Sequence, residues 1–239
     1  MRRFAFFLAL FVVPVLAAGC VGADARRAEA LLQQAEQAQR DVRSEGFVVR
    51  FTTDAEGRSA GVAMQGGAVL KGAGAGDFYL TASGTGQLES NALSFAVMRR
   101  AGTVTVREQG RTETLPVAAA QTRLGSEVGD FTKSLDVAQY VTSVSVGETE
   151  LAGRPADRIV GKLDTKALLN GIGGMGSQSL GALGVDFGGI RAVLYIPRDT
   201  HLVEVMFADL DVKVAGHKAH LHVSVALNDV DQPVDFPTL

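Results

Sequence analysis

The sequence predicts an α+β domain in which helices lie against one face of a large antiparallel sheet. Apolar residues recur at helical spacing over residues 24–43, whereas apolar and polar residues alternate with a period of two in much of the chain that follows. Glycine-rich breaks separate the alternating runs, as expected for turns between strands. The 239 residues are 46% hydrophobic and include a single cysteine, so one domain can bury a core but cannot form an internal disulfide.

The first nineteen residues have the composition of an export signal. Two arginines precede an apolar run over residues 4–15, which is shorter than the ~20 residues that a membrane-spanning helix needs. Small residues then lead to the cysteine in the order Leu16-Ala17-Ala18-Gly19-Cys20. This order resembles the lipobox of bacterial lipoproteins, with Ala17 at a position where Leu is usual.

We therefore expect residues 1–19 to be a lipoprotein signal peptide and Cys20 to be the lipidated first residue of a single domain over residues 20–239. Cleavage that leaves a free thiol and a retained anchor are the alternatives. Removing the signal lowers Lys+Arg from 23 to 21 against 26 Asp+Glu, which gives the mature chain a charge of -5. That balance argues against a nucleic-acid partner.

Three segments are predicted to be helical. The first spans residues 24–43, with Asp24 as its N-cap and a narrow apolar stripe that includes Ala28, Leu32 and Ala35. A polar helix is predicted over residues 130–140, and a short one is expected to start at Asp164.

The remaining alternating runs are predicted to be strands, with turns at residues 66–67, 72–76, 84–86 and 198–200. The predicted strands cover residues 47–52, 78–82, 93–97, 104–106, 142–146, 156–163, 191–196, 201–207, 211–214 and 218–227. One apolar and one mixed face along these runs is typical of an antiparallel sheet that packs on a single side.

Four segments in this order resemble the LppX/LprA/LprF/LprG lipoproteins, which share a fold with the LolA and LolB lipoprotein carriers. They are the helix leading into strand 46–51, the stretch 151–164, the stretch 192–203 and the ending 228–234. The resemblance implies a strongly curved antiparallel half-barrel sheet with helices covering its concave face. It also implies a cavity for acyl chains and a role in moving lipids or lipoglycans between membrane layers. The protein would be anchored to the outer face of the cell membrane, and a membrane exporter is the candidate partner.

Alternating strand residues are the candidates for the wall of such a cavity. A long sheet covered by thin, alanine-rich helices has more apolar face than cover, and unfilled apolar volume costs stability. Close packing of the small helices, without a cavity, is the alternative. We expect these residues to share the concave face: Phe51, Leu80, Phe95, Val97, Val193, Phe207, Val223 and Val225.

Residues 170–189 hold eight glycines among scattered apolar residues, which favours a lid over the cavity against a plain surface loop. Gly173, Gly174 and Gly176 are its expected hinge residues. The stretch 171–176 matches G-x-G-x-x-G, but it follows a predicted helix rather than a strand, which argues against a nucleotide site.

No pattern in the sequence supports catalysis or a cofactor. His220 and His222 would project to the same face of a strand and could offer two imidazole ligands, but a third would have to come from a neighbouring strand. Since Leu221 and Val223 look like core, we expect both histidines on the solvated face and no metal site. Arg99 and Arg100 could meet an anionic headgroup or could simply end a hairpin. An envelope sensor without cargo remains the alternative function, and a hydrolase is the weakest one.

Overall fold

The computed structural model describes residues 4–55, 58–86, 94–108, 110–124, 141–164, 186–187, 190–214 and 217–239. The predicted helix over 130–140, the helix after Asp164 and the hinge glycines Gly173, Gly174 and Gly176 lie outside these residues.

Two helices and twelve strands occupy the described chain. The helices are α1 (Phe4–Asp41) and α2 (Val117–Leu124). The strands are β1 (Ser44–Ala55), β2 (Arg58–Val69), β3 (Phe78–Gly86), β4 (Ser94–Arg100), β5 (Thr103–Glu108), β6 (Arg111–Pro116), β7 (Val141–Leu151), β8 (Arg154–Leu163), β9 (Asp186–Phe187), β10 (Arg191–Pro197), β11 (Val205–Val214) and β12 (His217–Asn228). Among the described residues, no helix combines the length and the hydropathy that a bilayer crossing requires.

All described strand pairs are antiparallel and belong to one sheet. Its order is β6-β5-β4-β3-β2-β1-β12-β11-β10-β8-β7, and β9 pairs with the far end of β11. The N-terminal half is a meander of β1 to β6, and it joins the C-terminal half through the β1–β12 pair. The sheet is open, because β6 and β7 end the order and do not pair with each other within the described chain.

The sheet has one apolar face, which we call the inner face; the opposite side is the outer face. The inner face carries two core clusters. The first places Ala28, Leu32 and Ala35 of α1 against β7, β8, β10 and β11, and the second places Ala120 of α2 against β1 to β5. Val223 and Val225 of β12, at the centre of the sheet, pack against both clusters.

Several boundaries differ from the predictions for physical reasons. Asp24 does not cap a helix start, because α1 begins upstream in the apolar run and continues to Asp41. The glycine pairs at 66–67 and 84–86 lie inside or at the end of strands β2 and β3 instead of in turns. The expected loop 170–189 contains the short strand β9 at 186–187.

The predicted strand over 201–207 starts later, at Val205. The turn at 198–200 is confirmed, and it is extended by His201, whose backbone has a φ of 57°. A left-handed residue cannot continue a strand. Arg154 forms ion pairs with Glu204 and Asp199 around this turn. The hydrogen bond to Glu204, followed by the negative charge of Glu204, raises the pKa of Arg154.

Candidate functional site

Six of the eight predicted wall residues lie on the inner face. In the register, Phe51 lies opposite Val223, Leu80 opposite Val97, and Val225 opposite the buried Val49. Phe95 follows Val97 by two residues on β4 and so shares its face. These six side chains therefore share one face of the sheet, and their role in lining a cavity stays a prediction.

Val193 and Phe207 lie on the outer face, so the prediction is wrong for these two. Phe207 is paired with Val193 on β10 and with Ser224 on β12, whereas its neighbour Ala208 is opposite the inner-face residue Val223. The ring of Phe207 is 47% exposed and makes an edge contact with Tyr195 at 6.0 Å between centroids. The residues that face inward here are Met206 and Ala208, both buried.

A row of apolar side chains crosses the inner face over five adjacent strands. Val225 on β12, Val49 on β1, Met64 on β2, Ala82 on β3 and Phe95 on β4 are consecutive partners in the register. Adjacent to this row, Val223 pairs with Phe51.

We call the large, partly buried side chains of this row and of the adjacent pair the apolar band, namely Phe51, Met64, Phe95, Val223 and Val225. They pack against the core clusters but are less covered than the cluster residues themselves. Met64 was not predicted from the sequence. Its alternation with Val62 could have revealed it, but the following Gly66-Gly67 pair was interpreted as a turn.

An ion-pair network attaches α1 to one end of the sheet. Asp157 of β8 has a side chain only 6% exposed, and its carboxylate accepts hydrogen bonds from Arg27 of α1 at 2.9 Å and from Arg198 at 3.1 and 3.2 Å. Glu148 of β7 lies 2.9 Å from Arg198 and 3.4 Å from Arg27. A buried carboxylate needs such partners, because a lone charge out of water is costly.

The network also shifts the pKa values of Glu148 and Arg198. The pKa of Glu148 is held below its usual value. The largest cause is the hydrogen bond from Arg198, followed by the positive charge of Arg198 and by the hydrogen bond from Arg27. The hydrogen bond to Asp157, and then that to Glu148, raises the pKa of Arg198. Glu148 and Arg198 are thus stabilised in their charged forms.

Both candidate metal ligands lie exposed on the outer face, as expected. His220 Nδ1 is 2.6 Å from Asp211 Oδ1, and His222 Nδ1 is 2.5 Å from Asp209 Oδ1. His222 Nε2 is also 3.6 Å from Asp54 Oδ2. Within the described ranges, no three His, Cys, Asp or Glu side chains are arranged to hold a metal ion.

The chain after β12 folds back onto the outer face beside β2 and β3. Phe236 makes an edge contact with Tyr79 at 6.0 Å, and Arg100 lies 5.1 Å above the Phe236 ring. Burial, then the charges of Asp229 and Asp235, raise the pKa of Tyr79. The C-terminal segment thus contacts β3 through Tyr79 and the β4–β5 hairpin through Arg100.

Cys20 lies within α1, two helical turns before Arg27. Its position does not test lipidation, which stays a prediction.

The chain matches no protein-family model and no curated protein. Several solved structures are similar to it. Lipoprotein LppX from Mycobacterium tuberculosis has 15% identity and a TM-score of 0.49, with 88% of this chain and 98% of that chain covered. LprF from Mycobacterium bovis has 15% identity and a TM-score of 0.47, with 90% and 98% covered. The LolA-superfamily protein NE2245 from Nitrosomonas europaea has 10% identity and a TM-score of 0.30, with 88% and 94% covered. The expected similarity to LppX, LprF and LolA-superfamily proteins is thus confirmed, at low identity.

Proposed function

We propose that this chain is an exported lipoprotein that holds the acyl chains of a lipid or lipoglycan on the inner face and carries them between membrane layers. The apolar band carries the proposal. Its five side chains lie on the apolar face of the sheet but are only partly covered. Since burial is worth roughly 25 cal/mol per Å² of apolar surface, an acyl chain seated on the band would gain the burial that the protein leaves incomplete.

The proposal includes a strongly curved, half-barrel sheet whose concave side is the inner face. In this proposal α1 covers the C-terminal half of the concave side and α2 the N-terminal half, which is supported by the packing of α1 in the first core cluster and of Ala120 in the second. Phe51, Phe95, Val223 and Val225 would contact the cargo directly. Leu80 and Val97, which are 8% and 7% exposed, would form the floor beneath it.

The proposal places the membrane anchor on Cys20, with residues 1–19 removed. Two acyl chains on this residue would hold stably, at ~0.8 kcal/mol per buried CH₂. Seven residues separate Cys20 from Arg27, a rise of about 10 Å in a helix. Because Arg27 is paired with Asp157 and Glu148, an anchored Cys20 would hold this end of the sheet close to the outer face of the cell membrane. A membrane exporter is the candidate partner.

The test compares one substitution on each face of the sheet. Val223→Trp adds an indole to the apolar band, whereas Phe207→Trp adds a similar ring to the outer face. The purified proteins are extracted, and bound lipid is quantified by mass spectrometry. We expect lipid in the parent and in Phe207→Trp, and a clear reduction in Val223→Trp.

Val97→Trp serves as the control for simple overpacking. Val97 is buried in a core cluster, so the added bulk should lower the free energy of unfolding by about 1–3 kcal/mol. Val223→Trp should change stability by less than about 1 kcal/mol, because Val223 is only partly buried and the added indole would extend into the proposed acyl-chain site. A lipid-free parent protein, or equal lipid in Val223→Trp and Phe207→Trp, would contradict the proposal.

A further inference from the structure

The outer face of the N-terminal half holds a cleft of 310 Å³, which we call the outer cleft. This volume is at the lower end of the range for small-molecule sites. Most of its lining comes from two adjacent rows of the register. One row runs through Val48, Gln65, Thr81, Ala96 and Arg107, and the other through Arg50, Ala63, Ser83 and Ser94.

The outer cleft is positively charged in an acidic protein. Arg50 on β1 and Arg107 on β5 lie at its two ends, and none of its lining residues is acidic. Neither guanidinium forms an ion pair or a side-chain hydrogen bond within the described chain, although the protein as a whole has a charge of -3. Two exposed arginines without a carboxylate partner, facing one cleft, are suited to an anion.

Neutral hydrogen-bonding groups fill the space between the arginines. Ser83 and Ser94 are direct partners in the register, and Gln65 and Thr81 are neighbours in the other row. Thr81 Oγ1 donates to the carbonyl oxygen of Gln65 at 3.3 Å and keeps its own lone pairs. These hydroxyl and amide groups can donate to and accept from a ligand that carries several hydroxyls.

The spacing of the arginines selects an extended ligand. β1 and β5 are four strand spacings apart in the sheet order, which is about 19 Å along a flat sheet at ~4.8 Å per strand. Even with both side chains reaching inward, a single phosphate is too small to contact both ends.

We propose that the outer cleft binds an anionic oligosaccharide of two to three sugar units, with its acidic groups at the two arginines and its hydroxyls at Ser83, Ser94 and Gln65. Met64, Ala82 and Phe95 complete the lining of the cleft, and in the register they form the row that lies between its two outer-face rows. The arginines and hydroxyls that would hold the ligand project to the opposite side of the sheet from the side chains of the apolar band.

The experiment titrates the full mature chain by calorimetry with three probes, trigalacturonate, neutral maltotriose and inorganic phosphate. We expect trigalacturonate to bind, and we expect its affinity to fall at least tenfold in 0.5 M salt, because screening weakens exposed charge contacts. Arg50→Gln and Arg107→Gln should each weaken binding about tenfold, and Arg50→Lys should restore part of it. Arg111→Gln removes the same charge from an exposed position on β6 outside the cleft and should leave affinity unchanged.

Four results would overturn the proposal. The first two are the absence of binding heat with trigalacturonate at millimolar concentration and an equal affinity for maltotriose. The third is displacement of trigalacturonate by equimolar phosphate. The fourth is a loss of trigalacturonate affinity in Arg111→Gln that equals the loss in the two cleft variants. Circular dichroism of each variant checks the fold. We expect unchanged spectra, because all three arginines are exposed.

Discussion

Replacement of Gly66 by Ala should destabilise the protein, because a side chain at this position meets two neighbours at once. Gly66 on β2 pairs with Phe47 on β1 and with Leu80 on β3. A Cβ atom there would lie 2.4 Å from Phe47 Cζ and 2.4 Å from the carbonyl oxygen of Tyr79. Phe47 is 1% exposed and belongs to the core cluster under α2, so its ring has little freedom to move away.

The magnitude follows from three contributions. Overpacking against a buried ring costs about 1–3 kcal/mol. Moving the Tyr79 carbonyl weakens the β2–β3 ladder by about 0.5–1.5 kcal/mol, the net worth of a hydrogen bond. Alanine regains about 0.5–1 kcal/mol, because it loses less backbone entropy than glycine in a strand. We therefore expect Gly66→Ala to lower the free energy of unfolding by about 2 kcal/mol.

Gly147→Ala is the matched control. Gly147 also lies in a strand, β7, and a Cβ there would have no heavy atom within 4 Å. Its substitution should leave stability unchanged or raise it by up to about 1 kcal/mol. Urea unfolding followed by circular dichroism measures both variants. Equal stability of Gly66→Ala and Gly147→Ala would refute the close approach of Phe47 to β2.

Three further outcomes are expected. Asp157→Ala should lower the free energy of unfolding by about 1–3 kcal/mol. The loss is smaller than for a fully buried ion pair, because Arg27 and Arg198 are half-exposed and water can solvate them once Asp157 is removed. An unchanged melting temperature would contradict this. Glu148→Gln should reduce the loss of stability in acid. The lowered pKa of Glu148 means that its contribution is present above its usual value of 4.5 and is lost as the pH falls through the lowered value, so parallel stability curves from pH 6 to pH 3 would argue against it. Cys20→Ala should release the protein into the soluble fraction or leave an unprocessed precursor; unchanged membrane association would exclude lipidation as the anchor.

Most strands with regular alternation could be predicted from the sequence, including part of the edge strand β7. The central strand β2, the edge strand β6 and the helix α2 were missed. β1, β3, β4 and β8 were predicted within a few residues, because apolar residues recur at every second position along part of each strand. β6 was missed because five of its six residues are exposed, so an edge strand gives no periodic signal. α2 was missed because its eight residues contact the core chiefly through Ala120.

The ion-pair network could not have been predicted, because its members are far apart in the sequence. Arg27 and Asp157 are separated by 130 positions, and no local pattern marks either residue. The sequence does contain a signal for Gly66. Its neighbours alternate as in a strand, and a glycine inside such a run indicates a close approach of another group. The Phe47 ring is that group.

The outcome for the wall residues shows what alternation leaves undetermined. All five residues from Ala192 to Ile196 on β10 are apolar, so the run predicts a strand but not which side chains face inward. Pairing decides the question. Ala192 and Leu194 lie opposite Ala208 and Met206, and these four residues are between 0% and 3% exposed. Val193 and Phe207 then necessarily share the other face. Val193 and Phe207 are direct partners in the register, so one error in the assignment of the face affects both. Any substitution meant to block cargo should therefore be placed on β12 or β1, where each apolar residue of the band alternates with polar or small residues and the inward face is unambiguous.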